Sequence, residues 1–242
     1  MPSGSSVQLS KRQLNRTLLA RQYLLTRQQT SVVEAIRHLV GLQAQIPDPP
    51  YIGLWTRLDS FQRDDLTRLM EQRQVVRVAM MRSTLQVMLA EDHQTFRMTL
   101  QPALTRALRA FYGKRAEGLD IERLIAVARP FLDEAPRSTG ELRQRLLELE
   151  PDRDGPALAY AVRNFLPLVQ VPPGGTWGTG TRASYATAES YLGPLNPEPD
   201  LRGLLHRYLA AFGPATIMDF QAWSGMVSLK KQIEALKAEL QT

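Results

Sequence analysis

Three prolines within four residues, Pro47, Pro49 and Pro50, constrain everything around them. Proline lacks a backbone N–H and biases the residue before it away from helical geometry, so no helix runs through this point. The amphipathic stretch through Leu39 and Val40 therefore reaches Gln43-Ala44-Gln45 as a helix exit, and a second apolar helix starts near Tyr51. In a helix, residues i and i+2 point to nearly opposite faces. The two amides converge on one site only where the backbone has left the helix by Gln43. Otherwise they act from different sides.

The chain has 242 residues and no cysteine, enough for one large domain or two to three small ones. Without cysteine, disulfides, thiol catalysis and cysteine-ligated metals are excluded. No apolar run reaches the roughly 18 residues that span a bilayer. The start, Met1 to Ser6, has neither a basic end nor an apolar core, so a cytoplasmic, nucleoid-associated protein is expected. Charge is uneven. Residues 1–118 carry 17 basic against 9 acidic side chains, residues 119–242 carry 13 against 15, and 25 of the 30 basic residues are arginine. A planar five-donor guanidinium suits phosphates, which points the front half toward nucleic acid.

Periodicity and capping signals give an order of elements. Leu9 to Leu25 reads as a helix, and Ser31 with Glu34 forms a capping box that opens the next. Tyr51 to Leu58 and a helix opened by Asp64-Asp65 follow. Val75 to Leu89, β-branched and without helical spacing, reads as one or two strands. Helices closed by a short β-element outline a winged helix in residues 1–90. Glu91 to Phe111 reads as a helix within a 91–118 connection. Residues 119–193 repeat the order: helices at Ile121 to Phe131, from the Ser138/Glu141 capping box, and at Pro156 to Phe165. Strands at Leu168 to Val171 and Ala183 to Ala188 then flank a glycine-rich wing. Residues 194–242 open a third unit with helices at Leu201 to Phe212, Thr216 to Trp223 and Val227 to Leu240. The polypeptide is expected to stop short of a third wing. The fold class is thus mainly α with small β-hairpins, α+β, as tandem winged helices.

These residues carry a resemblance. Leu42-Gln43-Ala44-Gln45-x-Pro47, followed by Tyr51-x-Gly53-Leu54-Trp55-x-Arg57-Leu58, resembles the signature of the AlkZ/YcaQ-like winged-helix DNA glycosylases. Met81 to Gln86 resembles that family's Arg-Gly-Thr-Leu-His stretch, with Ser83 and Gln86 where glycine and histidine are usual. Tyr208 to Gly225 resembles its third winged-helix opening. The resemblance implies removal of alkylated bases, crosslinked ones included, from double-stranded DNA by a monomer of the Gln-x-Gln subgroup, with Gln43 and Gln45 catalytic and neither metal nor cofactor.

The chemistry is coherent. An N7- or N3-alkylated purine is cationic and leaves without a proton. A glutamine amide is no acid or base near neutral pH, but it can orient water and place a dipole along a developing oxocarbenium. Asp48 is the nearest carboxylate and is read chiefly as a turn residue. His38, His93 and His206 show no metal-ligand spacing, and His93 reads as a surface residue. Arg57, Arg82, Trp177 and Arg182 are the candidate DNA contacts. Arg77 is a weaker candidate that reads equally as a solvated strand residue, and Trp55 reads as core. No lysine stands out as a Schiff-base nucleophile, so hydrolysis without strand cleavage is expected. A non-enzymatic winged-helix DNA-binding protein or transcription regulator is the competing reading, and an inactive truncated family member is a third.

Overall fold

The computed structural model describes residues 9–180 and 183–240. Helix α1 (Lys11–Arg21) opens on a capping box between Ser10 and Gln13. In α2 (Val32–Leu39) the Ser31 hydroxyl accepts from Glu34 N at 3.1 Å. That helix stops earlier than its apolar pattern suggests, because Val40 takes a left-handed φ of 63°. Such backbone is strained for a β-branched side chain, and here complete burial of Val40 holds it. Gly41 follows, where a Cβ would sit 3.1 Å from the Val87 carbonyl oxygen. The chain thereby turns from helix into β1 (Leu42–Gln43) within two residues. The expected helix exit at the glutamines is a strand.

Helix α3 (Pro49–Trp55) places Pro49 and Pro50 in its first turn, where a missing N–H costs nothing. Then come α4 (Arg63–Glu71), β2 (Val75–Ala79) and β3 (Leu85–Leu89). Between the two strands, Arg82 and Ser83 both have positive φ, and Thr84 N donates to Met81 O at 3.1 Å. This is the hairpin turn that normally selects glycine at its second centre. Ser83 tolerates it because its hydroxyl donates to Asn164 Oδ1 at 2.7 Å and lies 2.9 Å from the Tyr160 hydroxyl.

The expected single connecting helix is two, α5 (Ala90–Phe96) and α6 (Gln101–Tyr112), with Pro102 in the opening turn of the second. Helix α7 (Ile121–Glu134) runs through Pro130, giving up one backbone bond while Leu132 stays buried beyond it. The rest of this half is β4 (Arg137–Ser138), α8 (Thr139–Leu149), α9 (Gly155–Phe165), β5 (Leu168–Val171), β6 (Ser184–Thr187) and α10 (Ala188–Leu192). Both halves thus run helix, strand, helix, helix, strand, strand.

The two hairpins join into one sheet of order β1-β3-β2-β5-β6-β4. At the seam β2 and β5 pair antiparallel, Arg77 opposite Gln170 and Val78 opposite Val169. Each hairpin hides the other's open edge.

Helices α11 (Leu201–Phe212), α12 (Ile217–Ser224) and α13 (Lys230–Ala235) cover the sheet face that carries Val76, Val78, Met88 and Val169. Val75, Val87 and Leu89 point into a separate core with α2 and α4. Arg207 on α11 donates to both Asp92 oxygens, at 3.0 and 2.8 Å, and to the Arg37 carbonyl, tying the third group of helices to the first half. Burial raises the Asp92 carboxyl above its ordinary range, and Arg207 opposes that shift. Among the described residues no helix is long and apolar enough to cross a membrane.

His93, expected at the surface, is 1% exposed, because α5 is covered on this face. Burial, with Arg97 adding to it, lowers its pKa to about 3. An unfolded histidine takes up a proton near pH 6.5, whereas the folded one stays neutral. Stability is therefore full above pH 6.5 and falls as pH drops toward 3, by up to about 1.4 kcal/mol per unit. Melting temperatures from pH 7 to 4 should show that decline, and a His93→Gln variant should decline less steeply.

Candidate nucleic-acid interface

Extended backbone brings Gln43 and Gln45 onto one side. Leu42 and Ala44 turn into the core, while Gln43 and Gln45 are exposed. This is the period of two that a strand imposes. Gln43 lies directly opposite Gln86 in the ladder, so those two amides share a face. Ala44 N donates to Leu85 O at 2.7 Å, and Gln45 Oε1 accepts from Leu85 N at 3.3 Å. Gln45 is thus oriented through its carbonyl oxygen, leaving its NH2 donors free. Gln43 makes no side-chain hydrogen bond among the described residues.

The backbone of this edge is held from beneath by Arg77. It is not a solvated strand residue: it is 2% exposed. Its Nε donates to Ala44 O at 2.8 Å and its Nη2 to Gln45 O at 3.1 Å. The Nη1 group donates to Gln170 Oε1, and Gln170 Nε2 donates to the Tyr185 hydroxyl at 2.6 Å. Arg77, Gln170 and Tyr185 are successive cross-strand neighbours, so the row follows from the joining of the two hairpins. Burial lowers the Arg77 pKa from its ordinary value. Gly175, with φ of +85°, lets the second half's loop cross over this guanidinium. A Cβ there would come within 2.8 Å of Arg77 Cδ.

The structure distributes the other candidates unevenly. A hollow of about 290 Å³ beside β1 brings Gln43, Arg57 and Arg82 together with Gln86, Phe212 and Trp223. Arg57 donates to the Gln22 and Gly53 carbonyls at 2.9 and 2.7 Å, and its pKa is lowered by burial. Arg82 donates to Trp223 O at 2.7 Å. Trp177, 40% exposed, packs edge-on against Tyr51 at 5.6 Å between centroids. Beside it Gly178 N donates to Asp48 Oδ1 at 2.9 Å, so the glycine-rich loop read as a wing is pinned to the first half. Arg182 lies outside the described residues. Trp55, expected in the core, is 54% exposed with the Arg27 guanidinium 4.3 Å from its ring centroid. Seven residues make α3 too short to bury its whole surface, and Tyr51 and Leu54 take the core side. The sequence reading missed Gln86 and the clamp by Arg77, because cross-strand register carries no local signal.

A family model described as DNA glycosylase AlkZ-like matches residues 36–242, a span that includes the glutamine edge, the hairpin turn and the third group of helices. The chain belongs to this family. No curated protein matches it. Among solved structures, the AlkZ-like chain is similar in fold to the Streptomyces sahachiroi DNA glycosylase AlkZ, with a TM-score of 0.79 at 19% identity. The match covers 97% of this chain and 67% of that one, so the chain spans about two thirds of that protein's length.

Removing the clamp of this AlkZ-like chain has a definite expected result. Arg77→Met strands two backbone carbonyls and the Gln170 amide without a donor, a loss of about 3 kcal/mol. For a chain of this size that is roughly 6–12 °C in Tm. Thermal denaturation with Arg77→Lys alongside checks it, since the lysine restores a charge without the fork and should recover only part of the loss.

Proposed function

We propose that this chain is a monofunctional DNA glycosylase that hydrolyses the N-glycosidic bond of cationic alkylated purines in duplex DNA, bulky or crosslinked N7- and N3-adducts included. It acts as a monomer, with each half serving as a winged helix. The observation that carries the reading is the edge of two exposed amides on one side of an extended segment, anchored by the buried Arg77.

Among the described residues no carboxylate lines the adjacent hollow, and the nearest acid in sequence, Asp48, is engaged by Gly178 N. Such a site has no general acid for a neutral base. It suits a leaving group that already carries positive charge. The C1′–N bond breaks with its electron pair going to the base, which departs neutral, and the sugar becomes an oxocarbenium. Gln43 and Gln45 hold the attacking water through C=O and N–H2 and set amide dipoles against the developing charge. Water adds to C1′, and its proton passes to solvent. No lysine lines the hollow among the described residues, which supports hydrolysis without strand cleavage.

Family membership implies DNA as the partner, and the arginine excess of the front half supports binding through phosphates. Arg57 and Arg82 are spent on backbone carbonyls through some of their donors, which makes them rigid contacts rather than mobile ones. Trp177, packed edge-on against Tyr51, presents an exposed aromatic face.

Duplex DNA carrying N7-methylguanine, incubated with protein and then treated with mild alkali, reads the reaction. Release above the spontaneous rate is expected, falling at least 100-fold in Gln43→Ala/Gln45→Ala while DNA affinity is kept. That loss is the size expected for removing preorganised dipoles from a charged transition state. Full release by the double variant removes the amides from the mechanism. No release by folded, DNA-bound wild type favours a non-enzymatic DNA-binding protein.

A further inference from the structure

We infer that the hollow between β1 and the third group of helices is a purine-base site that favours the neutral, departed base over the cationic base still attached to sugar. The inference rests on the glycosylase reading for its place in the reaction.

Its volume, about 290 Å³, lies at the lower end of small-molecule pockets. That is room for a bicyclic ring. Its walls fit such a ring. Phe212 and Trp223, with ring centroids 5.9 Å apart, supply aromatic surface. Gln86 is buried and, among the described residues, its side chain donates only to Thr84 Oγ1, at 2.8 Å. Its carbonyl oxygen and second N–H remain for a base edge. Because Gln86 and Gln43 are ladder partners, a base held by Gln86 lies next to Gln43. The three amide and aromatic contributions come from β1, β3 and the α11–α12 pair, so the site exists only in the assembled fold.

Charge decides which state of the base is favoured. Arg57 and Arg82 line the hollow, and among the described residues no aspartate or glutamate does. Backbone carbonyls of Gln22 and Gly53 hold the part-buried Arg57 guanidinium, and the Trp223 carbonyl accepts from the exposed Arg82, so both charges stay at the hollow. An alkylated purine is positive while bonded to sugar and neutral once the bonding pair has moved onto its nitrogen. Fixed positive charge around the ring therefore penalises the state before cleavage and spares the state after it. The positive charge moves to the sugar, toward the amide dipoles of Gln43 and Gln45.

Titration calorimetry with free bases reads this without turnover. Neutral 3-methyladenine is expected to bind saturably, and fixed-charge 3,9-dimethyladeninium at least tenfold more weakly, with 9-methyladenine controlling for the added methyl. Arg82→Gln should narrow that preference at least threefold. Gln86→Leu, its fold checked by circular dichroism, should weaken 3-methyladenine at least tenfold. Absence of saturable binding, or equal affinity for the cation, overturns the proposal. The same preparations are assayed for release of N7-methylguanine from duplex DNA. Release without base binding overturns the pocket and leaves the glycosylase standing. Base binding without release supports the pocket and overturns the glycosylase reading.

Discussion

A single buried guanidinium links the parts of this molecule that matter to one another. Arg77 stands at the seam where two hairpins become one sheet, and its donors reach both sides of that seam. Toward the first half it holds the carbonyls of Ala44 and Gln45. Toward the second it holds Gln170, which passes the connection to Tyr185. Burying an arginine without a carboxylate is costly, and the cost is met only where every direction of the fork finds an oxygen. The geometry of the glutamine edge is thus coupled to the pairing of the halves.

Local backbone strain collects around the same place. Val40, Arg82 and Ser83 all take positive φ without being glycine, and each flanks the edge or its ladder partner. Each is held by tertiary contacts: core burial for Val40, a carbonyl of α12 for Arg82, and Asn164 and Tyr160 of α9 for Ser83. The third group of helices and the second half therefore stabilise conformations that the first half would not adopt alone. A short strand, a tight turn and a hollow lined from several elements all follow from that mutual support.

Much of the fold was legible in the residues. The caps at Ser31 and Ser138 mark helix starts that the structure reproduces, because a cap is a local exchange of hydrogen bonds; the full reciprocal box forms at Ser138/Glu141, while at Ser31 only the hydroxyl's half is made and Glu34 turns to Arg37. The two strands within 75–89 and the repeated element order were equally local in origin. The failures were of another kind. His93 and Arg77 looked exposed and are buried, whereas Trp55 looked buried and is exposed. Burial depends on which element packs over a position, and hydropathy does not carry that.

The sequence alone determined where several helices must begin, that no helix runs through the prolines at 47, 49 and 50 from the preceding stretch, and which chemistry two neutral amides can support. These are properties of neighbouring residues and of functional groups. Tertiary structure decided that Gln43 and Gln45 share one side, that Gln86 faces Gln43, and that Arg77 underpins them all. Those relations depend on strand register and on pairing between residues as far apart as Arg77 and Gln170, which long-range packing sets and local propensity cannot.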